Sequence, residues 1–150
     1  MEKINYIQNA QEIATKAHKG QVDKSNKDYI NHPRRVAERL LNESEDVQVV
    51  AWLHDVVEDT DVTIEELEKI FNKNVIDALK LLTHDKSIPY MEYVEKISYN
   101  EIAKKVKMSD LIDNMNLSRL DMKNITNEDL DRVEKYLKAY RFLLNGNKKN

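Results

Sequence analysis

The run Ala51-Trp52-Leu53-His54-Asp55-Val56-Val57-Glu58-Asp59-Thr60 sets a His-Asp pair and a Glu-Asp pair into an otherwise apolar segment. On a helix, His54 and Glu58 lie four apart, Asp55 and Glu58 three apart, and Asp55 and Asp59 four apart. Such spacings gather the polar groups on neighbouring parts of one face. Three carboxylates in that setting are costly without a positive partner. From Leu40 to Glu68 there is no Lys or Arg, while ten Asp and Glu occur. The simplest partner is a bound metal cation, which points to metal-dependent hydrolysis.

The remainder of the chain supplies a helical frame. Its 150 residues have room for one core, and a single domain is expected over residues 1–146, with a frayed tail at 147–150. Only 2 Gly and 2 Pro occur, against abundant Leu, Ile, Val, Lys and Glu, so the expected fold is all-α, a helical bundle with a metal site in its core. There is no Cys, which excludes disulfides, thiolate ligands and a Cys nucleophile. A net charge of −3 offers no basic surface for nucleic acid. No apolar run approaches membrane-spanning length and the first residues lack a signal-peptide pattern, so a cytoplasmic location is expected, with oligomeric state open.

Periodicity and punctuation divide the frame. The first helix is expected from about Lys3 to Lys19, with Ile4, Ile7, Ile13, Ala14 and Ala17 inward and Gly20 ending it. A polar loop follows from Gln21 to His32, then a helix from Pro33 to about Leu41. Asp46 is the expected N-cap of a third helix that carries His54, Asp55 and Glu58 towards its end. Thr63-Ile64-Glu65-Glu66 reads as a capping box, with a further helix over Asn74–Leu82. Pro89 opens a short helix, and Asn100 to about Leu120 reads as a long one carrying Lys107, Asp110 and Asn114. Thr126 caps the last helix, with Leu130, Val133, Leu137, Tyr140 and Leu144 expected inward and Gly146 just past the end.

Four residues from separate segments make a candidate ligand set: His32, His54, Asp55 and Asp110. Two imidazoles and two carboxylates suit Mn(II) or Fe(II) and also admit Zn(II). A divalent ion there would bring a bound water to its proton loss near neutral pH. Glu58 and Asp59 are placed to orient that water or shuttle its proton, and Asn114, four residues beyond Asp110, to hold substrate beside the ion. Blander readings fit other residues. His18 reads as helix surface or a local hydrogen-bond partner, His84 as a loop residue near the cleft, Trp52 as core, and Tyr90, Tyr93 and Tyr99 as packing.

In order along the chain come Ala17-His18-Lys19-Gly20-Gln21, Tyr29-Ile30-Asn31-His32-Pro33 with Val36-Ala37, His54-Asp55-Val56-Val57-Glu58-Asp59-Thr60, Thr83-His84-Asp85-Lys86, and Lys107-Met108-Ser109-Asp110 with Asn114-Met115. This pattern resembles the HD-superfamily hydrolase domain of the Rel/SpoT stringent-response enzymes, and is most similar to small stand-alone alarmone hydrolases of the metazoan SpoT homologue type. The resemblance implies one Mn(II) on His32, His54, Asp55 and Asp110, and removal of the 3′-pyrophosphate from guanosine tetra- and pentaphosphate. It implies Glu58 and Asp59 as the acid pair acting on water and Asn114 and Lys86 as nucleotide contacts; Tyr29 is a further candidate contact, and Lys24 a partial substitute for a family Arg absent at position 23. Departures are local. Asp23 stands where that family has a base-holding Arg, Ser25-Asn26-Lys27-Asp28 replaces its Ser-Gly-Glu-Pro turn, and Leu111-Ile112-Asp113 replaces a basic residue, Leu and His or Tyr. The altered loop leaves a sibling phosphohydrolase of NADPH or deoxynucleotides as the alternative substrate reading. A nucleotide-sensing module without turnover and a plain helical interaction protein are the non-enzymatic alternatives.

Overall fold

In a computed structural model the chain is all-helical, and the structure describes residues 3–120 and 123–145. The expected frayed tail at 147–150 and Gly146 lie outside the described residues. Nine helices are seen among the described residues: α1 (Tyr6–Ala17), α2 (Asn31–Glu38), α3 (Glu45–Leu53), α4 (Val56–Asp59), α5 (Ile64–Glu68), α6 (Lys73–Leu82), α7 (Tyr90–Ile97), α8 (Glu101–Asn114) and α9 (Asn127–Asn145). Helix α3 is the hub, packed against α1, α2, α6 and α8, while α9 closes over α7 and α8. No described helix is long and apolar enough to cross a membrane.

Side-chain caps start most of these helices. Asn5, Ser44, Thr63, Asn72 and Asn100 each accept a hydrogen bond from the backbone N–H three residues on, satisfying a donor that the helix itself cannot. Thr126 and Asp129 do so reciprocally, at 3.0 and 3.1 Å. The third helix is capped by Ser44, not by Asp46, whose carboxylate instead accepts from Asn72 Nδ2 at 2.9 Å. Helix α2 begins at Asn31, two residues ahead of Pro33, which still sits in the first turn where its missing N–H is not needed. Gly20 follows the end of α1 with φ of +85°, a conformation glycine adopts freely.

Helix α3 is apolar nearly all round, with Val47, Val49, Val50, Ala51, Trp52 and Leu53 buried, as a helix enclosed by neighbours must be. Each buried Val or Leu among them stabilises the fold by about 1.5–3 kcal/mol relative to exposure. Four expectations are corrected. Ile4 is 58% exposed, because α1 starts only at Tyr6. Helix α8 stops at Asn114, since the Asn116 side chain accepts from the Ser118 N–H at 3.0 Å and opens a 3-10 turn, Leu117–Arg119. On α9 the heptad-spaced Leu130, Leu137 and Leu144 face outward, and the inner face is Tyr136, Ala139, Tyr140 and Leu143. Tyr99 is exposed rather than packed.

Candidate metal centre

The expected continuous helix through His54, Asp55 and Glu58 is interrupted. Helix α3 ends at Leu53, and the single turn α4 restarts at Val56. His54 supplies the reason: its Nδ1 donates to the Ala51 carbonyl at 2.7 Å. A continuous helix would give that acceptor to the Asp55 N–H. With Nδ1 committed to a carbonyl, Nε2 is the ring atom left to face inward.

It meets three other groups. His54 Nε2 lies 3.1 Å from Asp55 Oδ2, 3.3 Å from Asp110 Oδ1 and 3.3 Å from His32 Nε2. His32 Nε2 lies 2.8 Å from Asp110 Oδ1 and 3.5 Å from Asp55 Oδ2. Helix α2 supplies His32, the α3–α4 break His54 and Asp55, and α8 Asp110. One potential ligand atom from each of the four falls within 4.8 Å of the others. Ligands at about 2.1 Å around one ion stand roughly 3.0–3.4 Å apart for octahedral or tetrahedral angles. The observed separations fit a single divalent ion. The nitrogen and oxygen donor set fits a borderline or hard metal.

Groups behind the four aim them. His32 Nδ1 donates to Asp113 Oδ2 at 2.6 Å, which leaves its Nε2 for the centre. Tyr29 Oη donates to Asp55 Oδ2 at 2.6 Å. Lys107 Nζ donates to Asp110 Oδ2 at 2.9 Å, and Asn114 Nδ2 to Asp110 Oδ1 at 3.0 Å. Burial opposes charge on the His54 ring, yet Asp55 and Asp110 outweigh it and hold its pKa well above the usual imidazole value. Burial likewise pushes the Asp110 carboxyl up, and Lys107 and the imidazoles reverse this and hold it well below the usual range.

A cavity of about 290 Å³ opens from the centre, with Tyr29, Glu58, Asp59, His84, Lys86, Lys107, Asn114, Lys135 and Tyr136 in its wall. Glu58 Oε1 accepts from the His84 N–H at 2.8 Å, and Lys86 Nζ stands 4.0 Å from Glu58 Oε2. Asp59 sits on the rim. Partial burial, then the charges of Asp55 and Glu58, push its carboxyl up to about 6. Folding therefore favours its protonated form. Its contribution to stability is present below the unfolded carboxylate range and is lost as pH rises through about 6. In metal-free protein, Asp59→Asn is expected to remove that loss, so that the mutant's urea midpoint gains on wild type between pH 4 and 7. Parallel midpoints across that range would refute the shift.

Beside this cavity lies a second lobe of about 260 Å³ that shares Tyr29, Asn114 and Tyr136 with it and adds Asp23, Lys24, Arg119 and Arg132. Lys24 thus sits at the second lobe and not over the four-residue cluster. Asp23 accepts from the backbone N–H groups of Ser25 and Lys27, at 2.8 and 3.0 Å, and shapes the loop. His18 is buried, not on the surface, with Nδ1 2.9 Å from Gln21 Oε1 and its ring against Tyr29. His84 stacks on Tyr93, 4.4 Å between centroids. Sequence reasoning left Lys107, Asp113, Arg119, Lys135 and Tyr136 without roles. For the first two the available signal was their three-residue spacing on either side of Asp110.

A family profile described as HD domain matches residues 10–141. The chain belongs to the HD domain family. Among relatives of this HD domain, the guanosine-3′,5′-bis(diphosphate) 3′-pyrophosphohydrolase MESH1 of Danio rerio is 37% identical over 147 residues, covering 91% of this chain and 77% of the relative. The Xenopus tropicalis MESH1 is 36% identical over 143 residues, covering 87% and 78%. In structure, the HD domain superposes on a metazoan SpoT orthologue described as hydrolysing ppGpp. The TM-score is 0.79 at 28% identity, covering 97% of this chain and 89% of that one.

Proposed function

We propose that this HD domain is a Mn(II)-dependent phosphohydrolase that removes the 3′-pyrophosphate of guanosine tetra- and pentaphosphate, giving GDP and pyrophosphate from ppGpp. The observation that carries the reading is the convergence of His32, His54, Asp55 and Asp110 at the floor of a cavity walled by both acids and lysines. The named activity of the MESH1 relatives supports the substrate. A divalent ion held by those four residues supplies Lewis acidity, lowering the pKa of water and drawing charge from a phosphorus-linked oxygen.

The chain's own groups do the rest. Glu58, fixed by the His84 N–H, orients the attacking water and receives its proton, and Asp59 completes the acid pair. Tyr29 holds the Asp55 carboxylate in place through one hydrogen bond and presents its ring to both lobes. Lys86 and Lys135 line the cavity as cations for the pyrophosphate, and the half-buried Lys107 adds positive charge beside Asp110. Asn114 sits at the junction of the lobes, where the nucleotide would bend from one to the other, and Lys24 meets its distal part. The loop's departure at Asp23 is offset by Arg119, whose guanidinium stands 3.4 Å from Asp23 and supplies a cation to that lobe.

The direct test is incubation of the protein with Mn(II) and ppGpp. GDP and pyrophosphate in equal amounts are expected, with ppGpp giving a higher kcat/KM than NADPH or any deoxynucleoside triphosphate. A better rate on one of those, or tight ppGpp binding with no turnover, would replace this reading.

A further inference from the structure

Asp113 has a fully buried side chain, yet four cationic or proton-donating groups converge on it. His32 Nδ1 donates to Oδ2 at 2.6 Å, Arg35 Nε to Oδ1 at 2.8 Å, Arg39 to Oδ1 at 3.1 Å and Arg119 to Oδ2 at 2.8 Å. One carboxylate does not need three guanidiniums for its own neutrality. Of the three, only Arg119 also faces a second anion, Asp23, and only Arg119 reaches the wall of the second lobe. Arg119 is tied there from the other side as well: Ser25 Oγ donates to its carbonyl, and Asp23 faces its guanidinium. A chain of polar contacts therefore runs from the Asp23–Lys27 loop through Arg119 and Asp113 to His32.

We propose that Asp113 is a positioning residue shared by the metal centre and the second lobe, aiming His32 at the ion while presenting Arg119 to an anionic or electron-rich part of the nucleotide. The first half rests on His32 being a metal ligand, and the second on the proposed nucleotide reaction. Without Asp113 the His32 ring loses the partner that fixes its Nδ1 edge, and a misaimed imidazole is a weaker ligand. Loss of such an outer partner typically costs about 10–100-fold in metal affinity. Without Asp113, Arg119 also loses its strongest anchor, and its donors no longer point at a fixed place in the lobe.

The test uses Mn(II) titrated into metal-stripped whole protein, read by calorimetry, together with steady-state kinetics. Asp113→Asn keeps one acceptor oxygen but loses the other and the charge, so it cannot serve His32 and the three arginines together; it is expected to weaken Mn(II) binding about 10–100-fold and also to raise KM at saturating metal. Arg119→Lys is expected to leave Mn(II) affinity within about twofold and raise KM roughly tenfold, the loss of one bidentate contact. In the double variant the KM effect of Arg119→Lys shrinks, because the anchor is already gone. A folded Asp113→Asn protein that binds Mn(II) as tightly as wild type overturns the first half. An unchanged KM for Arg119→Lys overturns the second. Should Asp113→Asn fail to fold, Asp113→Glu, which displaces the carboxylate by one methylene, takes its place: unchanged Mn(II) affinity there overturns the first half, and Arg119→Lys still tests the second. The metal titration needs no nucleotide, so failure of the ppGpp reading leaves it standing.

Discussion

Asp55→Ala is expected to abolish metal retention and turnover together. Asp55 Oδ2 lies 3.1 Å from His54 Nε2 and 3.5 Å from His32 Nε2, and it also accepts the Tyr29 hydroxyl at 2.6 Å. Its loss leaves one carboxylate, Asp110, to balance a divalent ion beside two imidazoles and Lys107. Mn(II) affinity should fall by more than about 100-fold, since losing a direct ligand exceeds the 10–100-fold cost of losing an outer partner. A Lewis acid contributes several kcal/mol to phosphoryl transfer, so kcat/KM should drop at least about 1,000-fold. Metal content after gel filtration and ppGpp kinetics check both, with circular dichroism to show an intact fold. A variant that keeps one equivalent of metal and near-normal turnover would remove Asp55 from the centre.

Glu58→Gln separates chemistry from binding. Glu58 Oε1 accepts the His84 N–H at 2.8 Å, and a Gln carbonyl can keep that bond, so the loop carrying Lys86 should stay in place. What disappears is the capacity to take a proton. Mn(II) affinity and KM should remain within about twofold while kcat falls roughly 100- to 10,000-fold, the usual worth of a positioned general base. Turnover at the wild-type rate would assign the proton transfer to Asp59 alone, or to solvent.

Much of this is legible in the sequence. The helical class follows from sparse Gly and Pro, and the capping signals at Thr63 and Thr126 mark real helix starts. The convergence of His32, His54, Asp55 and Asp110 was inferred from residue types and order, and the structure brings those four together. Two features were not legible, for different reasons. The break after Leu53 depends on a side chain competing for a backbone carbonyl, and periodicity is blind to that competition. The inward stripe expected on α9 holds at Tyr140 but not at Leu130, Leu137 and Leu144, which repeat at heptad spacing. Which stripe is buried depends on where α7 and α8 stand, and they meet Tyr136, Ala139 and Leu143 instead. Asp113 escaped for a third reason. A lone acid on a helix reads as surface until its partners arrive from α2 and from the turn after α8.

The interruption between α3 and α4 has a dynamic consequence. Helix α3 is enclosed by four neighbours, whereas α4 is one turn long, with Glu58 and Asp59 at the open rim. Such a turn opens locally at far lower free energy than a buried helix. Amide deuteration should therefore reach Asp59 and Thr60 orders of magnitude before Val50 and Leu53. If that exchange pattern holds, the rim at Asp59 can readjust around an incoming phosphate while Glu58 keeps its tie to His84 and the imidazoles beneath keep their grip.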